Sequence, residues 1–125
     1  MFACLHNAGR SQMAAALFNR HARGRAWADS AGTRPAAHVH PEVVEVMREI
    51  GIDLEATKPR LLTSELAEGA VRVVTMGCAE ECPIVSAPME DWGLPDPAGQ
   101  PLDTVRSIRD DIDRRVHALL SDLGV

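Results

Sequence analysis

The first seventeen residues read Met1-Phe2-Ala3-Cys4-Leu5-His6-Asn7-Ala8-Gly9-Arg10-Ser11-Gln12-Met13-Ala14-Ala15-Ala16-Leu17, and their pattern changes twice. Met1, Phe2 and Ala3 are an apolar run that reads as the end of a strand. Met13, Ala16 and Leu17 then recur at helical spacing. The order is strand, loop, helix. Five residues, Leu5, His6, Asn7, Ala8 and Gly9, separate Cys4 from Arg10. That length lets the loop curl so that consecutive amide N–H groups converge, with the positive end of the helix dipole behind them. A tetrahedral dianion fits such a loop, and the Arg10 guanidinium adds charge to it.

The same setting acts on Cys4. A thiolate is favoured by a helix N-terminus, a nearby cation and a hydroxyl donor, and Arg10 and Ser11 supply the last two. The alternative is a packed strand-end cysteine followed by a surface arginine. The strand before the loop, the Ser after the Arg and the amphipathic helix beyond it favour a nucleophile facing an oxyanion site.

The composition describes one compact domain, residues 1–125, long enough for a single core and too short for two. Hydrophobic residues make up 46% and charged residues 25%, ordinary values for a water-soluble domain, and no apolar run approaches the length of a membrane span. The net charge of -5, without a basic tract, argues against nucleic acid as a partner. The arginines between positions 20 and 25 read as a solvated helix end, where cations suit the dipole. No charged n-region and apolar h-region precede the loop, so a cytoplasmic location is expected, with the three cysteines reduced at rest.

Strand and helix signals alternate along the rest of the chain. A first helix is expected over residues 11–22, ended by Gly24, and a second strand over residues 26–31, closed by Gly32. Pro41, then Val43, Val44, Met47 and Ile50, then Gly51, describe a helix with both boundary signals. Thr63, Glu65 and Leu66 suit the start of a short helix. Val71, Val73, Val74 and Thr75, between Gly69 and Gly77, read as a strand buried on both faces. Val105, Ile108, Ile112, Val116, Leu119 and Leu123 mark one stripe of a long last helix ending at Gly124. Strands alternating with helices imply a parallel sheet covered on both sides, with the active site beyond the strand C-termini.

Cys78 and Cys82 follow the third strand as C-x3-C, on the edge where Cys4 also lies. Three readings stand. They are packing thiols, half of a zinc site, or partners of Cys4 in thiol exchange. Zinc lacks a second Cys pair or an H-x3-5-H. Asp96, held between Pro95 and Pro97, is the one carboxylate of its loop able to be fixed over the oxyanion site as a general acid. The competing reading is a turn Asp. His38 and His40 lie in a Pro-bounded loop without an adjacent carboxylate or Cys and are assigned no chemistry, so no metal and no cofactor is expected.

Taken together, residues 4–13 (CLHNAGRSQM), 30–33 (SAGT), 58–63 (KPRLLT), 75–83 (TMGCAEECP), 91–99 (DWGLPDPAG) and 105–116 (VRSIRDDIDRRV) resemble the low-molecular-weight protein tyrosine phosphatase superfamily. Within it they are most similar to the arsenate reductases related to the thioredoxin-coupled type. The resemblance implies an α/β single-domain, three-layer fold with a four-stranded parallel sheet flanked by helices. It implies reduction of arsenate to arsenite, with phosphate or sulfate as mimics. By position, Cys4 is the nucleophile, Arg10 and the loop amides bind the oxyanion, Asn7 stabilises the loop and Ser11 partners the thiolate. Asp96 falls at the general acid. Cys78 would attack Cys4 and Cys82 would take over the disulfide.

The implied electron donor is thioredoxin, or a low-molecular-weight thiol with a glutaredoxin-like partner, because C-x3-C is tighter than the spacing in thioredoxin-coupled members. Two other functions remain beside reduction: tyrosine phosphatase, and an oxyanion-binding module without turnover. Against the phosphatase, the chain has no Tyr and places Ala98 where phosphatases of the superfamily present an aromatic rim. Ala15 stands where many members carry a Glu of a potassium site, so none is expected. Only three residues precede Cys4, fewer than members of the superfamily use for this strand, so the expectation is either a very short central strand or a recorded start that lies late.

Overall fold

Phe2, Ala3 and Cys4 are all buried, and such a short apolar run is stable as a strand only with a neighbour on each side. The computed structural model, which describes residues 1–77 and 87–125, places it at the centre of the sheet. The elements in order are β1 (Phe2–Cys4), α1 (Arg10–Ala22), β2 (Ser30–Gly32), α2 (Pro41–Arg48), α3 (Ser64–Glu68), β3 (Val73–Thr75), β4 (Met89–Asp91) and α4 (Leu102–Asp122). The sheet order is β2-β1-β3-β4. Every pairing is parallel, with Cys4 opposite Gly32, Ala3 opposite Thr75 and Thr75 opposite Asp91. Parallel neighbours need crossovers, and helices supply them. The expected four-stranded parallel sheet flanked by helices is the observed fold.

Parallel pairing also aims all four strands the same way. The segments that leave Cys4, Gly32, Thr75 and Asp91 therefore emerge along one edge of the sheet. Behind that edge the core is aromatic and aliphatic. The Phe2 ring meets Phe18 of α1 edge-on, with centroids 5.9 Å apart, and Trp92 at 5.5 Å. Each such pair contributes about 0.5–1.5 kcal/mol beyond its buried area. The α4 stripe of Val105, Ile108, Ile112, Val116 and Leu119 is buried as its spacing predicts, and α4 packs on both α1 and α2. Arg106 and Arg109 of α4 tie down Glu49 at the end of α2. The Arg106 hydrogen bond is the main reason the Glu49 carboxyl lies below its usual range. Among the described residues no helix is long and apolar enough to cross a membrane.

Three strand expectations are corrected. The second strand is Ser30–Gly32 rather than residues 26–31. Trp27 is exposed, and the Ala28 backbone is bonded through both N–H and C=O to the Asn19 side chain, at 2.8 and 3.0 Å, instead of joining the ladder. Gly32 belongs to the strand and does not close it. Val71 lies outside β3 and is 79% exposed. The residue pattern held no sign of β4, because its three residues are exposed on the sheet edge, joined to β3 by the backbone ladder and by the Thr75 hydroxyl donating to Asp91 Oδ1 at 2.8 Å. Cys78 and Cys82 lie outside the described residues.

Candidate active site

The loop after β1 begins with Cys4 buried at the strand end and finishes at Gly9, the N-cap of α1. Its carbonyls are turned outward. Those of Cys4, Leu5, His6 and Ala8 accept from the backbone N–H groups of Thr33, Arg34, Ala36 and His40 at 3.3, 2.8, 2.9 and 2.9 Å. Residues 33–40 thus form a strap around the loop. With these oxygens committed to the strap, the amides of His6, Ala8, Gly9 and Arg10 are left without a hydrogen bond to any described residue. Convergent amides at a helix N-terminus are an anion site.

Asn7 organises the floor. It adopts φ 50°, a left-handed conformation in which Asn is enriched among non-glycine residues, and is fully buried. Its Oδ1 accepts the Arg60 backbone N–H at 3.0 Å and the Gln12 amide at 3.0 Å. A backbone N–H can only donate, so the atom facing it is the oxygen and the other side-chain atom is the NH2. That Nδ2 donates to Ser11 Oγ at 2.8 Å. Ser11 Oγ lies 2.8 Å from Cys4 Sγ. With Cys4 as the thiolate, the one proton between the two atoms is that of the Ser11 hydroxyl, which then donates to sulfur. The Asn7 backbone N–H donates to Sγ as well, at 3.2 Å. Two donors and a helix N-terminus converge on one buried sulfur, an arrangement that stabilises negative charge there.

Arg10 is held from two sides. Its Nη1 donates to the Leu94 carbonyl at 2.9 Å. Gly77 gives it room: a Cβ at that position would lie 2.6–2.9 Å from the guanidinium, and the backbone there has φ +89°. One of five N–H donors is thereby committed, leaving a fork for an anion.

Asp96 is beside the loop but its carboxylate turns to its own backbone, Oδ1 accepting the Ala98 N–H at 3.0 Å. The loop that carries it packs closely, since a Cβ on Gly9 would meet Pro97 Cγ at 2.7 Å. Glu42 of α2 holds the same turn by accepting from the Gly99 N–H at 3.1 Å. The structure therefore assembles Cys4, Leu5, His6, Asn7, Ala8, Gly9, Arg10 and Ser11, and sets Asp96 in the neighbouring loop without a hydrogen bond to any of them. Cys78 and Cys82 follow directly on or shortly after Gly77, outside the described residues.

Several participants were not legible from residue type. Gln12 donates to both Asn7 O, at 3.1 Å, and Asn7 Oδ1, locking the floor from the first turn of α1. Nothing in the sequence separates it from a surface glutamine. His40 contributes its backbone N–H to the strap, and its ring lies over Gly9. Gly32 is a further case. A Cβ there would sit 2.7 Å from Leu5 O and 2.8 Å from Asn7 N, both backbone atoms that cannot swing aside. Gly32→Ala is expected to destabilise the fold by about 1–3 kcal/mol, the usual range for overpacking, and to weaken phosphate binding by displacing the loop. Thermal melts with and without phosphate check both effects.

The geometry has counterparts in known proteins. The chain is 45% identical over 129 residues to a putative arsenate reductase of Halobacterium salinarum, covering 98% of this chain and 91% of that one. It is 31% identical over 128 residues to a glutaredoxin arsenate reductase of Synechocystis, covering 99% and 97%. A solved thioredoxin-dependent arsenate reductase of Corynebacterium glutamicum matches with a TM-score of 0.85 at 35% identity, over 98% of this chain and 60% of that longer chain. Residues 1–124 match the low molecular weight phosphotyrosine protein phosphatase family. That match spans the oxyanion loop and the whole four-stranded parallel sheet behind it, and this chain belongs to the low molecular weight phosphotyrosine protein phosphatase family.

Proposed function

We propose that this protein is a thiol-dependent arsenate reductase. The observation that carries the reading is the Cys4 sulfur, held by Ser11 and the Asn7 N–H beneath amides free to bind a tetrahedral oxyanion. The relatives named above support arsenate as the substrate. Arsenate matches phosphate in shape and charge, so the loop of residues Leu5 to Gly9 accepts it, with the Arg10 guanidinium and the unbonded amides of His6, Ala8, Gly9 and Arg10 as ligands while the Asn7 N–H stays on the Cys4 sulfur. Cys4 attacks arsenic and an oxygen leaves as water, its proton supplied within the site. Asp96 is the group assigned to that proton, through rotation of its carboxylate from the Ala98 N–H.

The next step separates reduction from phosphate hydrolysis. A second thiolate attacks Cys4 Sγ, a sulfur–sulfur bond forms, and the electron pair of the sulfur–arsenic bond stays on arsenic as arsenite is released. Two thiols are oxidised and arsenic gains two electrons. Cys78 is assigned this attack and Cys82 the transfer that yields a Cys78–Cys82 disulfide. Thioredoxin, or a small thiol with a glutaredoxin-like protein, then restores the dithiol. Such chemistry belongs in a reducing compartment, which supports a cytoplasmic location.

Two linked measurements test the proposal. Purified enzyme should release arsenite from arsenate with a thioredoxin or glutaredoxin system, and should hydrolyse p-nitrophenyl phosphate slowly by comparison. Phosphatase turnover without arsenite release would make it a phosphatase, and binding without either product a non-catalytic oxyanion module. Peptide mapping after one turnover should find Cys78–Cys82 in the wild type and Cys4–Cys78 in Cys82→Ser, where the third thiol is missing. Unaltered turnover of both Cys78→Ser and Cys82→Ser with a small thiol would leave Cys4 as the only internal thiol used.

A further inference from the structure

At the far end of α1 from the oxyanion loop, two histidines face one carboxylate. His21, in the last turn of α1, places Nε2 2.8 Å from Asp113 Oδ1. His117, one helical turn beyond Asp113 on α4, places Nε2 3.7 Å from Asp113 Oδ2. The imidazole rings lie side by side with centroids 4.1 Å apart and a 38° tilt. One ligand atom from each of the three residues lies within 4.8 Å of the other two. All three side chains are open to solvent, at 27%, 37% and 56% exposure, so an ion has a path in and water can complete its shell.

We propose that His21, Asp113 and His117 form a binding site for a divalent transition metal ion of the imidazole-preferring class, with Zn²⁺ the best match, that staples α1 to α4. Two neutral imidazoles and a carboxylate are a three-ligand set suited to zinc with a fourth position held by water. Bonds of 2.0–2.1 Å at tetrahedral angles bring ligand atoms to roughly 3.4 Å of one another. The three ligand atoms already lie within 4.8 Å of one another, so coordination requires the side chains to draw closer by roughly an ångström. The ion replaces the proton between His21 Nε2 and Asp113 Oδ1, so one hydrogen bond is exchanged for coordination. The nearby cations do not oppose it at full strength. Arg109 is bonded to Glu49 and Asp110, and Arg20 to the Ile50 carbonyl. Asp110, which lines the same depression as His21 and Asp113, is the carboxylate that offsets Arg109 there.

Position along the sequence hid this site. His21 and Asp113 are separated by 92 residues, and the D-x3-H of α4 is by itself an ordinary helix pair. The clamp joins the helix that opens with Arg10, Ser11 and Gln12 to the longest helix of the fold.

Zinc also binds thiolates, so the test must read the imidazoles directly. Zn²⁺ is titrated into the full chain and the histidine side-chain NMR signals are followed. The ring signals of His21 and His117 should shift while those of His6, His38 and His40 stay in place, and zinc should raise the melting temperature. In His117→Ala, whose side chain is mostly exposed and whose loss the fold tolerates, the His21 response should weaken by at least the roughly 10–100-fold that loss of even an outer-shell partner costs. His21→Ala should weaken the His117 response likewise. Zinc taken up with the His21 and His117 rings unmoved, or a response that survives either substitution at the same concentration, would overturn the proposal.

Discussion

Cys4→Ser is expected to reduce arsenite release by on the order of 10⁴-fold or more, the scale on which loss of a catalytic nucleophile acts. The substitution exchanges sulfur for a smaller oxygen whose proton is not removed at neutral pH. It leaves the loop intact, because the strap bonds run through backbone atoms and the floor is tied by Asn7, Gln12 and Arg60. Phosphate or arsenate should therefore still bind, measured by calorimetry, while turnover in a thiol-coupled assay disappears. Appreciable reduction by this variant would remove Cys4 from the chemistry. Loss of both binding and turnover, with an altered melt, would instead mean that the sulfur is needed to fold the loop.

Arg10→Lys should be nearly as damaging despite keeping its charge. The Arg10 guanidinium spends one N–H on the Leu94 carbonyl and is fixed in orientation beneath Gly77. A lysine ammonium in its place offers a point charge in place of a planar fork, and cannot hold Leu94 and two oxyanion oxygens in the same geometry. The expected loss in kcat is roughly 10²–10³-fold, comparable to removal of one preorganised oxyanion donor. Steady-state kinetics at saturating arsenate check it, and a kcat within a few-fold of wild type would place Arg10 outside the transition-state contacts.

The oxyanion loop was legible because its chemistry is local. Cys4, Arg10 and Ser11 lie within one turn of chain, and the change from strand to helical spacing around them is visible in the apolar residues alone. The long α4 was legible for the same reason, its stripe being continuous. What depends on contact between distant segments was not. Asn7 reads as a loop residue, yet its role is set by a backbone N–H 53 residues away at Arg60 and by the amide of Gln12. Gly32 looks like a strand terminator, whereas it is a ladder residue kept small by the backbone of Leu5 and Asn7. Asp96 was readable both as a candidate acid and as a turn Asp, and the sequence could not choose between them, since which way a carboxylate faces is decided by its own loop closing. β4 had no burial pattern to read, because its residues are exposed and what holds them is the main-chain ladder plus one side-chain bond, Thr75 to Asp91, that forms only once the two strands are paired.

The strap of residues 33–40 has a consequence for how the site chooses its substrate. Four hydrogen bonds set the loop's curvature without any ligand, so an entering anion meets a shape that it does not have to assemble, and the conformational tax on its binding is small. A mould cast in advance for a tetrahedron of given charge has little means of telling arsenic from phosphorus by affinity. Phosphate is then a standing competitor, and selectivity belongs to the step after capture, where the bond to sulfur either surrenders its electrons to the central atom or returns to where it began.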